Sequence, residues 1–340
     1  MRRQVQQSAS ERIAWIDSAK GIGITLVVFA HVLGGANGRG WFGDGEAART
    51  VYDYVYLFHM PLFFLISGIL GVESMRTRPL ATLDSRIRGI AWPYVLWGLI
   101  GMAILPLVSR FMLSAPSDGV SEGLWKLLTG QASWFLWTLF VMEVLLIVPV
   151  ARAPLSLLVA CSLLIYAIST KYAPFGIFSP VVRNAPFFLI GCIFASHIRE
   201  LRSASTLRQS AGFVVTGVLL FATLALVMSS VGQSELLYLF GGIIGSAATI
   251  ACTLAIRGRL LQRALQSVGM GSLAIFLLHP YFQGIARELL ITFAKFDPRF
   301  SFAFIVLAAL VGPWITWQLA SKFGLGWLFR LPPHRKAKLV

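Results

Sequence analysis

The sequence predicts an all-α protein: a polytopic transmembrane helical bundle of about ten spans, with the N- and C-termini cytoplasmic. Three observations carry this. Hydrophobic residues make up 57% of the 340 and charged residues only 13%, with a mean hydropathy of +0.76. Soluble domains carry about 25% charged residues. The apolar residues are gathered in runs of about 20, the length that crosses the hydrocarbon core. The Lys and Arg residues behind the net charge of +15 sit in short clusters between the runs. That is a topology signal rather than a nucleic-acid face, so membrane lipids and no nucleic acid are the expected surroundings.

The first run, 13–35, follows a basic, polar start and is too long for the apolar region of a cleavable signal, so it reads as a retained helix. The others fall at 51–71, 90–112, 133–151, 154–170, 181–197, 211–230, 236–256, 270–291 and 301–320. Of these, 154–170 is the shortest and follows a turn at Pro154. Alternate connections hold Arg2, Arg3 and Arg12; Arg76, Arg78, Arg86 and Arg88; Arg152; Arg199, Arg202 and Arg208; Arg257, Arg259 and Arg263; and Lys322, Arg330, Arg335, Lys336 and Lys338. The opposite connections hold Arg39, Arg49, Arg110, Lys126, Lys171, Arg183, Lys295 and Arg299, fewer than half as many. The richer side is assigned to the cytoplasm, and an odd number of spans would scramble the alternation. Residues 1–330 read as a single membrane domain and 331–340 as a basic cytoplasmic tail. Cys161, Cys192 and Cys252 lie inside apolar runs without metal or redox spacing, and read as buried thiols.

Ionisable groups inside a span are costly and mark candidate functional sites. The first span holds Asp17, Lys20 and His31. Lys20 and His31 are three turns apart, on one face to within about 20° and separated by about 16 Å along the axis. Asp17 stands one turn before Lys20, where the two can pair. Taken alone, Lys20 also fits a side chain snorkelling to the interface, and His31 a packing histidine. The second span opens with His59, Met60 and Pro61 and continues to Ser67 and Gly68, small residues that also suit close helix packing. Glu143 lies near mid-span behind Trp134, Phe135, Leu136 and Trp137. His279 and Pro280 interrupt the ninth span, ahead of Arg287 and Glu288. His31, His59 and His279 have no metal-ligand spacing, so no metal is expected.

These residues resemble a known family, the acyltransferase family 3 membrane proteins. Those carry a basic residue, ten residues, then a histidine, matched by Lys20 and His31 in Arg12-Ile-Ala-Trp-Ile-Asp17-Ser-Ala-Lys20-Gly21-Ile-Gly-Ile…His31. A second signature, Phe-Phe-x-x-Ser-Gly, is matched by Phe63, Phe64, Ser67 and Gly68. Trp134-Phe135-Leu136, Phe187-Phe188-Leu189-Ile190-Gly191 and Ser272–Pro280 echo further segments, so the resemblance covers nearly the whole chain. Lys in place of Arg before the histidine, and the His-Met-Pro segment, are similar to the fucose 4-O-acetylase-like branch. One feature departs. Many members place two arginines three apart before a proline at the third helix, whereas Arg86 and Arg88 are two apart, with Pro93 following.

The resemblance implies an O-acyltransferase of the bacterial inner membrane. It would move an acyl group, usually acetyl, from cytoplasmic acetyl-CoA or another acyl-CoA to a hydroxyl of a cell-surface or lipid-linked glycan. His31 would be the base near neutral pH or the group that first takes the acyl. The coenzyme A phosphates would meet Arg76, Arg78, Arg86 and Arg88, whose forks suit phosphate. Glu143 or His59 would orient His31 or touch the acceptor, Lys20 would lie on the donor's path, and His279, Asp17 and Ser67 would line the cavity. The acceptor sugar, acetyl against succinyl, and a homo-oligomer stay open. The rival class is a transporter whose buried His and Glu relay protons.

Overall fold

The computed structural model describes residues 13–43, 45–109, 119–172, 175–199, 201, 206–231 and 234–333. Arg2, Arg3, Arg12, Arg110, Arg202, Arg335, Lys336 and Lys338, with most of the expected tail, lie outside them. Among the described residues the chain is helical throughout, without strands. In order these are α1 (Ala14–Asn37), α2 (Glu46–Tyr56), α3 (His59–Thr77), α4 (Pro79–Arg86), α5 (Trp92–Ser109), α6 (Val120–Leu128), α7 (Trp134–Arg152) and α8 (Leu155–Tyr172). There follow α9 (Ser179–Arg199), α10 (Leu207–Val231), α11 (Glu235–Ala255), α12 (Arg259–Met270), α13 (Ser272–Arg287) and α14 (Pro298–Lys322).

Nine segments among the described residues are long and apolar enough to cross a membrane, and the bent pair of α12 with α13 and its continuation brings the number to ten. This is a multi-pass membrane protein. The expected spans are recovered with shifted ends. The second runs over Glu46–Thr77, starting earlier than 51 because polar Glu46, Arg49 and Asp53 mask α2 in the hydropathy. The third runs over Pro79–Ile104 rather than from 90. The ninth, Ser272–Phe293, is preceded by α12, and the two are bent by 78° at Gly271.

Proline placement explains several local features. Pro79 and Pro298 begin their helices, where a missing N–H costs nothing. Asp297 caps α14 by accepting from the Arg299 N–H at 2.8 Å, and Ser234 caps α11 by accepting from the Leu237 N–H at 3.1 Å. Ile87–Ala91 forms a π turn, with the Trp92 N–H bonded to the Ile87 carbonyl. The wider register falls just before Pro93, which cannot donate to the carbonyl four residues back.

The described residues group into two compact units. Unit 1 comprises Met1–Ile66 with Ser196–Phe276, and unit 2 comprises Ser67–Ala195 with Leu277–Val340.

In unit 1, α1 is packed backbone to backbone on α12. A Cβ at Gly21 would collide with the Leu265 carbonyl, and one at Gly269 with the Asp17 carbonyl. Close approach of this kind is how apolar helices gain contact where lipid is as apolar as leucine. Gly23 of α1 meets the Phe63 ring of α3, and Gly245 of α11 meets Phe58. Tyr54 donates to the Phe221 carbonyl at 2.8 Å, tying α2 to α10.

In unit 2, Gly68 of α3 lies against the Phe188 carbonyl of α9, and the Cys192 thiol reaches the Gly68 carbonyl at 3.6 Å. The C-terminal segment is tied to α4 and α5. The Trp92 and Trp97 indoles donate to the Trp327 and Leu328 carbonyls at 2.8 and 2.9 Å, and the Leu331 N–H donates to the Arg88 carbonyl. The first residues of the expected tail are therefore bound. Cys192 is buried as expected, but Cys252 is half-buried and Cys161 sits on the exposed face of α8. That span is among the least buried of all, and an apolar thiol on such a face suits lipid as well as a core.

Candidate functional site

The polar groups fall into two sets, one in each unit. In unit 1, the Lys20 ammonium lies 3.2 Å from the Asp17 carboxylate, the pair expected from their spacing. Both are partly covered, at 24% and 16% side-chain exposure, so the cation is neutralised beside the α1–α12 contact. Further along α1, His31 is half-buried and meets Tyr56 of α2 edge-on, with ring centroids 6.3 Å apart. Tyr56 also meets His59 of α3, edge-on at 4.7 Å. The two imidazoles therefore flank one tyrosine.

Local sequence produces this arrangement. α2 ends at Tyr56, two turn residues follow, and α3 begins at His59. Tyr52, Tyr56 and His59 lie four and three residues apart, the spacing of one helical face. Tyr52 stacks on Tyr56 at 4.2 Å, and its ring fills the space that a Cβ at Gly34 of α1 would take. His59 is fully buried, and its Nδ1–H donates to the Val55 carbonyl at 2.7 Å. A carbonyl only accepts, so Nδ1 carries the proton, and in the neutral ring Nε2 is left as the basic nitrogen. Sequence reasoning singled out His31 and His59 but missed Tyr52 and Tyr56. The Tyr-x-x-x-Tyr-x-x-His spacing was the available signal.

In unit 2, Glu143 of α7 is 1% exposed, and its carboxylate pairs with the Arg86 guanidinium at 2.5 Å. Arg86 also lies against Gly71 of α3, where a Cβ would stand 3.0 Å from its Nη2. The buried charge that was expected to need a partner has one, supplied from the end of α4. Arg88 is buried too. It grips Asp84 with two bonds of 2.8 and 2.9 Å and donates to the Pro332 carbonyl. Arg76 and Arg78 are exposed, and Arg76 Nε donates to the Val150 carbonyl at 3.3 Å. Of the four arginines expected to read phosphate, two are thus bound to carboxylates of the chain and two are exposed. Ser67 is half-buried at the start of the unit 2 portion of α3, and His279 is buried on α13 just before Pro280. Among the described residues no group of three or more His, Cys, Asp or Glu is placed to hold a metal ion.

Chemically, the unit 1 set offers two imidazoles, groups able to take and return a proton, each packed edge-on against one tyrosine ring. The unit 2 set offers a buried carboxylate neutralised by a guanidinium, and two exposed arginines.

Comparison with known proteins adds the family. Residues 13–318 match the family of the acyltransferase domain, Acyl_transf_3. Nodulation protein NolL of Sinorhizobium fredii is 30% identical over 266 residues, covering 72% of this chain and 69% of that one. Nodulation protein NolL of Mesorhizobium japonicum is 27% identical over 192 residues, 54% of this chain and 48% of that protein. Inner membrane protein YcfT of Escherichia coli is 28% identical over 223 residues, 57% and 60% of the two chains. The matched part is thus about half to two thirds of each curated relative. No solved structure matches. With the match spanning α1 to α14 and including the Lys20–His31 segment, the chain belongs to acyltransferase family 3.

Proposed function

We propose that this protein is a membrane O-acyltransferase, moving an acyl group, in the first instance acetyl, from acyl-CoA to a hydroxyl of a cell-surface or lipid-linked glycan. The observation that carries the reading is His31, eleven residues after Lys20 on α1 and held with His59 around Tyr56. An imidazole titrates near neutral pH and suits general-base work on a hydroxyl. The acceptor oxygen attacks the thioester carbonyl as its proton passes to His31. The C–S bond breaks, and the coenzyme A thiolate recovers a proton from the imidazolium. In the two-step alternative the imidazole takes the acyl group first, releasing coenzyme A, and then yields it to the hydroxyl. His59, with Nδ1 anchored on Val55, would help hold Tyr56 in place against His31.

Arg76 and Arg78, exposed, are the arginines suited to the donor's phosphates. Arg86 and Arg88 act through Glu143 and Asp84. The excess of basic residues on one set of connections supports cytoplasmic placement of these arginines. The inner membrane named for the Escherichia coli relative supports the same location for this chain.

The test is thioester chemistry. The protein in nanodiscs is given acetyl-CoA with and without glycan extract, and free thiol and ester are measured. Acceptor-dependent release of thiol, matched by one new ester on the glycan, is expected. Acetyl-CoA left intact beside histidine-dependent movement of protons or solute would mark a transporter instead.

A further inference from the structure

Unit 2 holds a slot of about 290 Å³ between α5, α6, the turn after α6 and α13. Glycines leave the room. A Cβ at Gly101 of α5 would stand 2.9 Å from the Tyr281 hydroxyl, and one at Gly123 of α6 would stand 2.9 Å from Met102. The walls are held rigidly. Trp97 donates to the Leu328 carbonyl and stacks on Phe329 at 5.8 Å, so one side of the indole is fixed while the residue lines the slot. α6 is clamped by the Tyr94 hydroxyl on the Leu127 carbonyl and the Trp137 indole on the Leu128 carbonyl.

Helical spacing divides α6 into two faces. Gly123, Lys126 and Leu127 share one, with Gly123 and Lys126 lining the slot. Leu124, Trp125 and Leu128 share the other and are 44%, 61% and 72% exposed. A short helix with an apolar ridge on one side and polar groups on the other suits a membrane interface. The slot's polar groups are Lys126, paired with Glu122 at 3.0 Å, Gln131 and the Tyr281 hydroxyl. Aromatic rings set against donors and acceptors suit a ring with apolar C–H edges and many hydroxyls. The volume is at the small end for ligand sites, about 300 Å³, which excludes a whole coenzyme A.

We propose that this slot binds one hexopyranose ring at the membrane surface. Calling that sugar the acyl acceptor rests on the acyltransferase reading; the binding does not.

Full-length protein in nanodiscs is titrated with a panel of p-nitrophenyl hexopyranosides by saturation-transfer NMR. At least one is expected to bind. Gln131→Ala and Tyr281→Phe should each weaken it about ten-fold, and Leu128→Ala, on the opposite face, should leave it unchanged. Parent-like melting curves for the two slot variants separate lost contacts from lost folding. The proposal is overturned if no hexopyranoside binds, if slot variants bind like the parent, or if lauric acid occupies the slot and sugars do not. Slot-dependent sugar binding in a protein that transfers no acyl group would sink the enzymatic reading alone. Acyl transfer with an acceptor KM unmoved by Gln131→Ala would sink the slot as the acceptor's site, and leave its sugar binding to the titration.

Discussion

Replacing Glu143 by Ala strips the carboxylate from a site 1% exposed and leaves the Arg86 guanidinium, 2.5 Å away in the parent, without its counter-charge. Breaking a buried pair by removing one partner costs about 3–5 kcal/mol, mostly through the stranded charge. Arg86 retains 23% side-chain exposure, so some of its charge can be rewetted and the low end applies. A loss of about 3 kcal/mol is roughly a hundred-fold in the unfolding equilibrium. Arg86→Gln strands the more buried partner, but a carboxylate can shed its charge by taking up a proton, so its cost should be no larger. In the double variant Arg86→Gln/Glu143→Gln no charge remains, and the loss should be smaller than the sum of the singles. The assay is reversible SDS or thermal unfolding in mixed micelles, run as a double-mutant cycle. Singles within about 0.5 kcal/mol of the parent, with an additive double, would refute the pair as a structural anchor of α4 on α7.

Three further outcomes are expected. Gly269→Val should separate α12 from α1 and lower both stability and activity, because its branch would enter the Asp17 carbonyl; a parent-like melting curve would contradict the contact. Arg76→Gln with Arg78→Gln should raise the donor Kd by roughly ten-fold per lost charged hydrogen bond. Isothermal titration with acetyl-CoA and dephospho-coenzyme A measures it, and unchanged binding would move the phosphates elsewhere. Reporters fused after Arg208 and Arg263 should read cytoplasmic and one after Asn37 external; a cytoplasmic reading at Asn37 would reverse the orientation.

What the sequence made legible was whatever is encoded locally. Hydropathy found the spans because each is a contiguous run, and the three-residue spacing of Asp17 and Lys20 foretold their ion pair. Lys20, His31, Ser67 and Gly68 were visible as a spaced pattern that resembles a family. Partners far along the chain were not visible. Nothing near Glu143 indicates that its cation comes from Arg86, 57 residues earlier, since that pairing depends on how α4 and α7 pack. Arg88 reads as a cytoplasmic charge until Asp84 and the Pro332 carbonyl are seen around it. α2 escaped because Glu46, Arg49 and Asp53 lower its hydropathy, and Tyr52 and Tyr56 went with it. The slot escaped because its glycines are scattered among apolar residues and matter only once α5, α6 and α13 meet.

The most direct test of the account is acyl transfer by His31→Ala. The variant is purified beside the parent in nanodiscs, with matching melting curves, and ester formation on the glycan acceptor from labelled acetyl-CoA is followed. Loss of the general base should lower the rate by about 10²–10⁴-fold with the donor Kd unchanged. Transfer at a rate close to the parent's would contradict the assignment of His31 and direct attention to His59.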